Sequence, residues 1–257
     1  MKSLGEKKAL SAWRGGPIKK KRLYEEVSER IEAAILSREI QPGESLPSER
    51  EIMEIFGVGR TAVREALFAL QKNGLVKLSS GQRAVVAEPT PDDLIEKISG
   101  PARHIISEPD RLRQMQEARR LLEAFLARSA AQRATPEQIQ ALEDALRANG
   151  RTIDNPEAFV ETNIEFHHAI ASITQNVFIE GLHRAVYSWL KDQRTTSAQQ
   201  PGACEAAYEW HEKIFAAIRD GDPDAAEQAM LSHIDQAQTA YWNVRATMQQ
   251  PSTKKGA

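Results

Sequence analysis

The sequence predicts a mainly α fold in two parts: a front unit of short helices closed by a small β-hairpin, then an all-helical bundle. Three observations predict it. Residues 43–81 read GESLPSEREIMEIFGVGRTAVREALFALQKNGLVKLSSG, two apolar-periodic stretches each stopped by a glycine, then a short β-prone run. Pro89-Thr90-Pro91 breaks the chain where that unit ends. Beyond it, cap residues before a Pro or an acidic first turn recur at Thr90, Thr135, Asn155 and Asp222, with no strand-like alternation between them.

The elements follow in order. Residues 1–22 are polar and lack apolar period, so a disordered basic tail is expected, with Lys19-Lys20-Lys21-Arg22 available to DNA phosphates or the minor groove. Val27, Ile31, Ala34 and Ile35 give a first helix from Leu23 to about Ser37. Ser48 and Glu51 form a capping box, starting a helix that should bury Ile52, Ile55 and Phe56 and end at Gly57. Gly59 caps the next helix, with Val63, Ala66, Leu67 and Leu70 inward, and Gly74 closes it. Val76–Leu78 and Arg83–Ala87 then read as two strands of a hairpin, bounding the front unit at 23–88. Residues 89–100 form a linker with a linking helix, 101–246 a bundle of six or seven helices, and 247–257 a disordered tail.

The 257 residues, 41% hydrophobic and 27% charged, suit a soluble globular chain of one large domain or two ordinary ones. No apolar run reaches membrane-spanning length, so no membrane partner is expected. The single cysteine, Cys204, cannot form an internal disulfide, which fits a reducing cytoplasm. The net charge of −2 hides an asymmetry, because residues 1–90 sum to +4 and residues 91–257 to −6. The front unit is therefore the part suited to a polyanion.

Two short helices joined by a tight turn form a helix-turn-helix, which lays its second helix in a DNA major groove. The residues of that helix left off the buried face are Arg60, Thr61, Arg64 and Glu65. Arginine pairs bidentately with guanine, and threonine can meet phosphate or a thymine methyl. Arg50 and Ser48 stand on the preceding helix, within reach of phosphates. The motif resembles the GntR family of bacterial winged-helix transcription factors. The family pattern L-P-S-E-R-E-L, a spacer, V-S-R, V-R-E-A-L, L and G-L stands here as Leu46–Ile52, Val58-Gly59-Arg60, Val63–Leu67, Leu70 and Gly74-Leu75. The resemblance implies DNA contacts by Arg50, Arg60 and Arg64, with the wing tip Gly81-Gln82-Arg83 near the minor groove. Gly59 replaces the usual Ser or Thr, and Gln82-Arg83 departs from the usual Gly-rich wing.

The rear half carries imidazoles on apolar stripes. Asn163 and His167 lie one turn apart on a stripe with Phe159, Phe166 and Ile170. His211 lies among Tyr208, Phe215 and Ile218, and His233 among Ala226, Met230, Ala237 and Ala240. Three helices each aiming a histidine inward suit Zn2+, with Ni2+, Co2+ or Cu2+ as alternatives by the usual affinity order. His168 and His183 fall off these stripes and read as surface residues. The region resembles the FCD effector domain of the FadR-type branch, whose Asp or Asn, F-H and two later histidines match Asn163, Phe166-His167, His211 and His233. The first ligand is more often Asp there.

Arg119 falls on the inward stripe of Leu112, Met115, Leu122 and Leu126. It reads either as an ion pair with Glu123 or as the anchor of an effector carboxylate. An FCD R-x-x-L-E arginine lies near the effector cavity, and Arg119–Glu123 matches that pattern; Arg194 is a second candidate anchor. No acidic residue shares the histidine stripes as a general base, and no H-E-x-x-H, phosphate loop or nucleophile elbow occurs, so an enzyme is not expected. Two further readings remain beside the effector-responsive one: a metal that only staples the bundle, and a metal-dependent hydrolase.

The expected protein is a cytoplasmic homodimeric repressor of catabolic genes, bound to double-stranded operator DNA and modulated by a small carboxylate. The wing, linker and last helices are most similar to the sialic-acid-responsive members. Sialic acid, a sugar acid, an aromatic acid or a di- or tricarboxylate are the candidate effectors.

Overall fold

The computed structural model describes residues 22–88 and 90–249. The expected tails at 1–21 and 250–257 lie outside the described residues. The chain divides into two compact units at residues 89 and 90.

In the front unit, α1 (Leu23–Leu36), α2 (Glu49–Phe56) and α3 (Arg60–Asn73) precede β1 (Val76–Lys77) and β2 (Val85–Val86). Ser48 Oγ accepts from the Glu51 amide while the Glu51 carboxylate accepts from the Ser48 amide, so the capping box fixes where α2 begins. Gly57 and Gly74 end α2 and α3 in left-handed conformations, with φ of +63° and +80°, which a side chain would resist. Val27, Ile31, Ile52, Val63, Ala66 and Leu70 close one core under the hairpin.

Two details differ from the sequence reading. Ile55 is 66% exposed, because this eight-residue helix turns Ile52, Met53 and Phe56 inward and leaves the opposite side to solvent. The strands are shorter than expected, yet the sheet gains a third edge. Ser45 bridges Val85, Leu46 N–H donates to Ala84 O at 2.7 Å and Val86 N–H donates to Glu44 O at 2.8 Å. That pairing plants Leu46 in the core and delivers Pro47 and Ser48 to the start of α2.

The rear unit has eight helices among the described residues: α4 (Pro91–Ile105), α5 (Pro109–Arg133), α6 (Pro136–Gly150), α7 (Pro156–Ser172), α8 (Val177–Trp189), α9 (Lys191–Ala198), α10 (Ala203–Arg219) and α11 (Pro223–Gln249). The four expected caps accept as read: Thr90 from Asp93, Thr135 from Gln138, Asn155 from Ala158 and Asp222 from Ala225. Helix α4 runs through Pro101 to Ile105, past residue 100, and packs so closely on α8 that a Cβ on Gly181 would stand 3.0 Å from Pro91. Likewise α11 continues through residue 249, beyond the start expected for the tail.

Leu126, Phe166, Ile170, Ile214, Ile218, Met230 and Ile234 form the main core. Each such side chain contributes roughly 1.5–3 kcal/mol when fully buried. The bundle therefore has an apolar core of its own. Yet every buried polar or charged side chain among the described residues lies in this unit, none in the front one. Buried polar groups oppose folding unless they are partnered, so this concentration marks where something other than stability has been served.

Candidate functional site

On the front unit, Arg60, Thr61, Arg64 and Glu65 are all exposed on the first turns of α3. Among the described residues no acidic side chain pairs with Arg60 or Arg64. A cleft of about 600 Å3 separates α3 from the hairpin, lined by Ser48, Arg64, Phe68, Gly81, Gln82 and Arg83. Arg50 lies 3.5 Å from Glu54, and Arg83 lies 3.6 Å from Glu51. Both guanidiniums remain largely exposed, so these pairs are weak and give way readily to a phosphate. Glu51 itself is held below the usual carboxylate range by the Ser48 hydroxyl and amide.

In the rear unit, α7, α10 and α11 bring His167, His211 and His233 together. His233 Nε2 stands 3.1 Å from His167 Nε2 and 3.2 Å from His211 Nε2. All three rings are buried. Burial pushes His167 down against the pull of Glu123, and burial followed by the neighbouring imidazoles pushes His211 and His233 well below the ordinary range. All three are thus neutral at pH 7.

Two tautomers are fixed by what lies behind the rings. His167 Nδ1 lies 3.1 Å from Glu123 Oε2, and a carboxylate can only accept. His211 Nδ1 lies 2.8 Å from Asn149 Oδ1, whose Nδ2 is committed to Thr162 Oγ1 at 2.9 Å. Both Nδ1 atoms therefore carry hydrogen, and both Nε2 lone pairs point at the same spot beside His233. His233 Nδ1 is buried without a partner. Two preset lone pairs meeting a third imidazole at this range fit a divalent cation, and the carboxylate behind His167 is the usual support of such a ligand.

Sequence reasoning missed parts of this site. Glu123, read only as a partner for Arg119, is fully buried; besides His167 it meets Arg119 Nε at 3.6 Å and His183 Nε2 at 3.5 Å. No acidic residue was expected on the three histidine stripes as a general base; Glu123 reaches His167 from a different helix, α5. His183, read as a surface residue, is buried; Ile179, His183 and Tyr187 recur every fourth residue along α8, a stripe the sequence displays. His168 is half-buried rather than exposed. Burial opposes the charge on Glu123, but His167 and His183 hold the carboxyl well below the usual range. Asn149 and Tyr187 were not foreseen; Asn149 ends a helix with no pattern to single it out.

A narrow cavity of about 50 Å3 adjoins the histidines, lined by Arg119, Asn163, Arg194, Cys204, His233 and Gln236. Asn163 thus shares the space with His233. Arg119 Nη2 donates to the Tyr187 hydroxyl at 3.0 Å, and Arg194 donates to the Tyr187 carbonyl while its guanidinium lies 4.2 Å from the Tyr187 ring centre. Burial and the nearby Arg119 lower Arg194 to about 10. Of the two buried guanidiniums, Arg119 pairs with the one buried carboxylate, Glu123, and Arg194 pairs with none among the described residues. The interior is short of negative charge.

The comparisons with known proteins agree with both halves. Residues 23–86 match the model of the bacterial regulatory proteins of the gntR family, and residues 114–236 match the FCD domain. HTH-type transcriptional repressor NanR of Escherichia coli (strain K12) is 40% identical over 90% of this chain and 88% of its own length. The chain belongs to the GntR family. NanR of Citrobacter rodentium is 37% identical over 94% of this chain and 93% of its own. Among solved structures, Streptococcus agalactiae GntR superposes with a TM-score of 0.59 at 27% identity, covering 84% of this chain and 99% of that one. This GntR protein is a DNA-binding transcriptional regulator carrying an FCD effector domain, not an enzyme. No helix among its described residues is long and apolar enough to cross a membrane.

Proposed function

We propose that the protein is a dimeric transcriptional repressor whose grip on operator DNA is modulated by a small carboxylate bound beside a divalent metal. The convergence of three imidazole Nε2 atoms, next to a cavity lined by two buried guanidiniums of which only Arg119 has a carboxylate partner, carries this reading. His167, His211 and His233 hold the metal, and Asn163, the neutral counterpart of the family's more frequent Asp, lines the open side. Zn2+ suits an all-nitrogen donor set, with Ni2+ or another divalent transition metal as alternatives. When bound, the ion supplies a Lewis-acidic position for an effector carboxylate, while Arg119 and Arg194 offer charge-assisted hydrogen bonds.

A cavity of about 50 Å3 admits one or two waters, not a sugar acid. Effector entry must therefore move part of the wall, and the short helix α9 with the turn to α10 forms the side carrying Arg194 and Cys204. That displacement is how binding changes the rear unit. On the front unit, Arg60, Thr61 and Arg64 read bases, while Ser48, Arg50 and the wing tip Gly81-Gln82-Arg83 hold the backbone. One short helix reads only a few base pairs, so a two-fold partner supplies the second half-site. The names of the NanR relatives support repression, and the resemblance to the sialic-acid-responsive branch makes sialic acid the first acid to try.

The tightness of the cavity favours a second reading, a metal that only staples the bundle. One experiment decides between them. DNA selected from a random pool is titrated with the metal-loaded protein, with and without each candidate acid and with and without chelator, and followed by fluorescence anisotropy. At least one acid shifts the affinity in a metal-dependent way if the effector reading holds. Affinity indifferent to every acid, in protein shown to carry metal, selects the staple.

A further inference from the structure

A second, larger cleft opens between α7, α8 and α9. Its volume is about 330 Å3, and Ile164, His168, His183, Tyr187, Ser188 and Arg194 line it. Arg194 is the wall between this cleft and the narrow cavity beside the histidines, since it lines both. One of its Nη atoms donates to the Tyr187 carbonyl, but Nε and Nη1 find no hydrogen-bond partner, and among the described residues no carboxylate pairs with it. Nδ1 of His183 and Nδ1 of His168 are likewise buried and unpartnered. An ionised donor left unpaired in a protein interior is costly, and burial of 93% of Arg194 leaves water little room to serve it.

We propose that this cleft is a second anion site, in which a small oxyanion, a carboxylate or a phosphate, takes the unused donors of Arg194 and packs against the His168 and His183 rings. The charges around it favour an anion. Arg184 and Lys191 stand at the cleft with Arg194, against one lining carboxylate, Glu165. Arg184 is engaged with Asp92 at 2.8 Å, and Lys191 lies 3.8 Å from Glu161, so Arg194 is the cation with nothing to neutralise it. The two rings lie 6.0 Å apart and 24° from parallel, and Tyr187 stacks on His183 at 4.3 Å, giving the anion a flat aromatic wall. Because one guanidinium serves both spaces, occupancy of the cleft withdraws Arg194 from the effector cavity. The two ligands compete through it without touching.

Equilibrium dialysis of the full-length, metal-loaded protein against labelled inorganic phosphate and, separately, labelled acetate, at constant ionic strength, tests this. Wild type binds one equivalent per chain of at least one of the two probes. Ser188→Trp fills the cleft from an exposed position that does not line the narrow cavity, and it abolishes that equivalent. Arg194→Met, which keeps an unbranched apolar stem in place of the guanidinium, also abolishes it in protein shown by circular dichroism to be folded. No saturable binding in wild type overturns the proposal. So does binding that survives Ser188→Trp, which places the anion on the metal or in the effector cavity instead.

Discussion

Glu123 Oε2 accepts the hydrogen of His167 Nδ1 at 3.1 Å and so commits the opposite nitrogen of that ring to the histidine cluster. The same carboxylate meets Arg119 and His183 with its other oxygen. One side chain thus links the candidate metal ligands, the proposed effector anchor Arg119 and the α8 stripe.

Replacing it should loosen the metal without touching a ligand. Glu123→Gln keeps the shape but lets the amide present a donor to His167 Nδ1, so the tautomer is no longer imposed. Supporting groups of this kind are worth about 10- to 100-fold in metal affinity. Competition with a chromogenic chelator measures it. Unchanged affinity in a folded Glu123→Gln variant would show that the carboxylate serves Arg119 and His183 and not the metal ligands.

How much of this was legible follows from particular residues. The front unit was nearly complete in the sequence because its devices are local: Ser48 and Glu51 cap each other, Gly57 and Gly74 stop helices, and Val63, Ala66, Leu67 and Leu70 keep one period. The third sheet edge at Ser45 was not, since a single bridge has no period to show. His167, His211 and His233 were visible because each sits on an apolar stripe. Glu123 was not recognised as part of the group, because an acidic residue four places from an arginine explains itself locally. Only the packing of α5 against α7 and α8 reveals its other partners. Cavity size, the quantity that separates an effector site from a staple, depends on where α9 rests and has no signature in one chain.

Acid should unfold the metal-free rear unit in two stages. His211 and His233 are neutral when folded, with pKa values pushed well below the ordinary imidazole value of 6.5. The unfolded chain then binds more protons below 6.5, so stability falls as pH drops from there toward the folded values. Glu123 is shifted down from 4.5, so its contribution is complete above 4.5 and is lost as pH falls below that. Thermal melts in chelator from pH 8 to pH 3 should show the melting point falling below about pH 6.5 and again below about pH 4.5. A melting point flat between pH 7 and pH 5 would contradict the burial of neutral imidazoles.

Asn163→Asp should act with opposite sign in the presence and absence of metal. Asn163 is 8% exposed and lines the cavity beside His233. Without an ion, a carboxylate there is desolvated and should lower stability by about 1–3 kcal/mol. With Zn2+ it becomes a charged ligand in place of a neutral amide and should raise both affinity and melting point. Paired melts with chelator and with saturating zinc read both signs. Destabilisation of similar size in both conditions would remove Asn163 from the ligand set.

The arginines of α3 and the wing should separate by the kind of DNA contact each makes. Arg60 and Arg64 are exposed on α3, the helix proposed to enter the groove, with no acidic partner among the described residues, so neither must break an ion pair to reach a base. Arg60→Ala and Arg64→Ala should each cost about 1–3 kcal/mol on the selected site and relax the preference at particular base positions. Arg83 stands at the wing tip and must leave Glu51, 3.6 Å away, to reach the backbone. Arg83→Ala should weaken all sequences alike and reduce the slope of log affinity against log salt by about one. Anisotropy titrations over a salt series, on the selected site and on single-base variants, measure both quantities. If Arg60→Ala and Arg64→Ala behave like Arg83→Ala, losing affinity uniformly and with salt slope, then α3 does not read bases and the specificity resides elsewhere on the front unit.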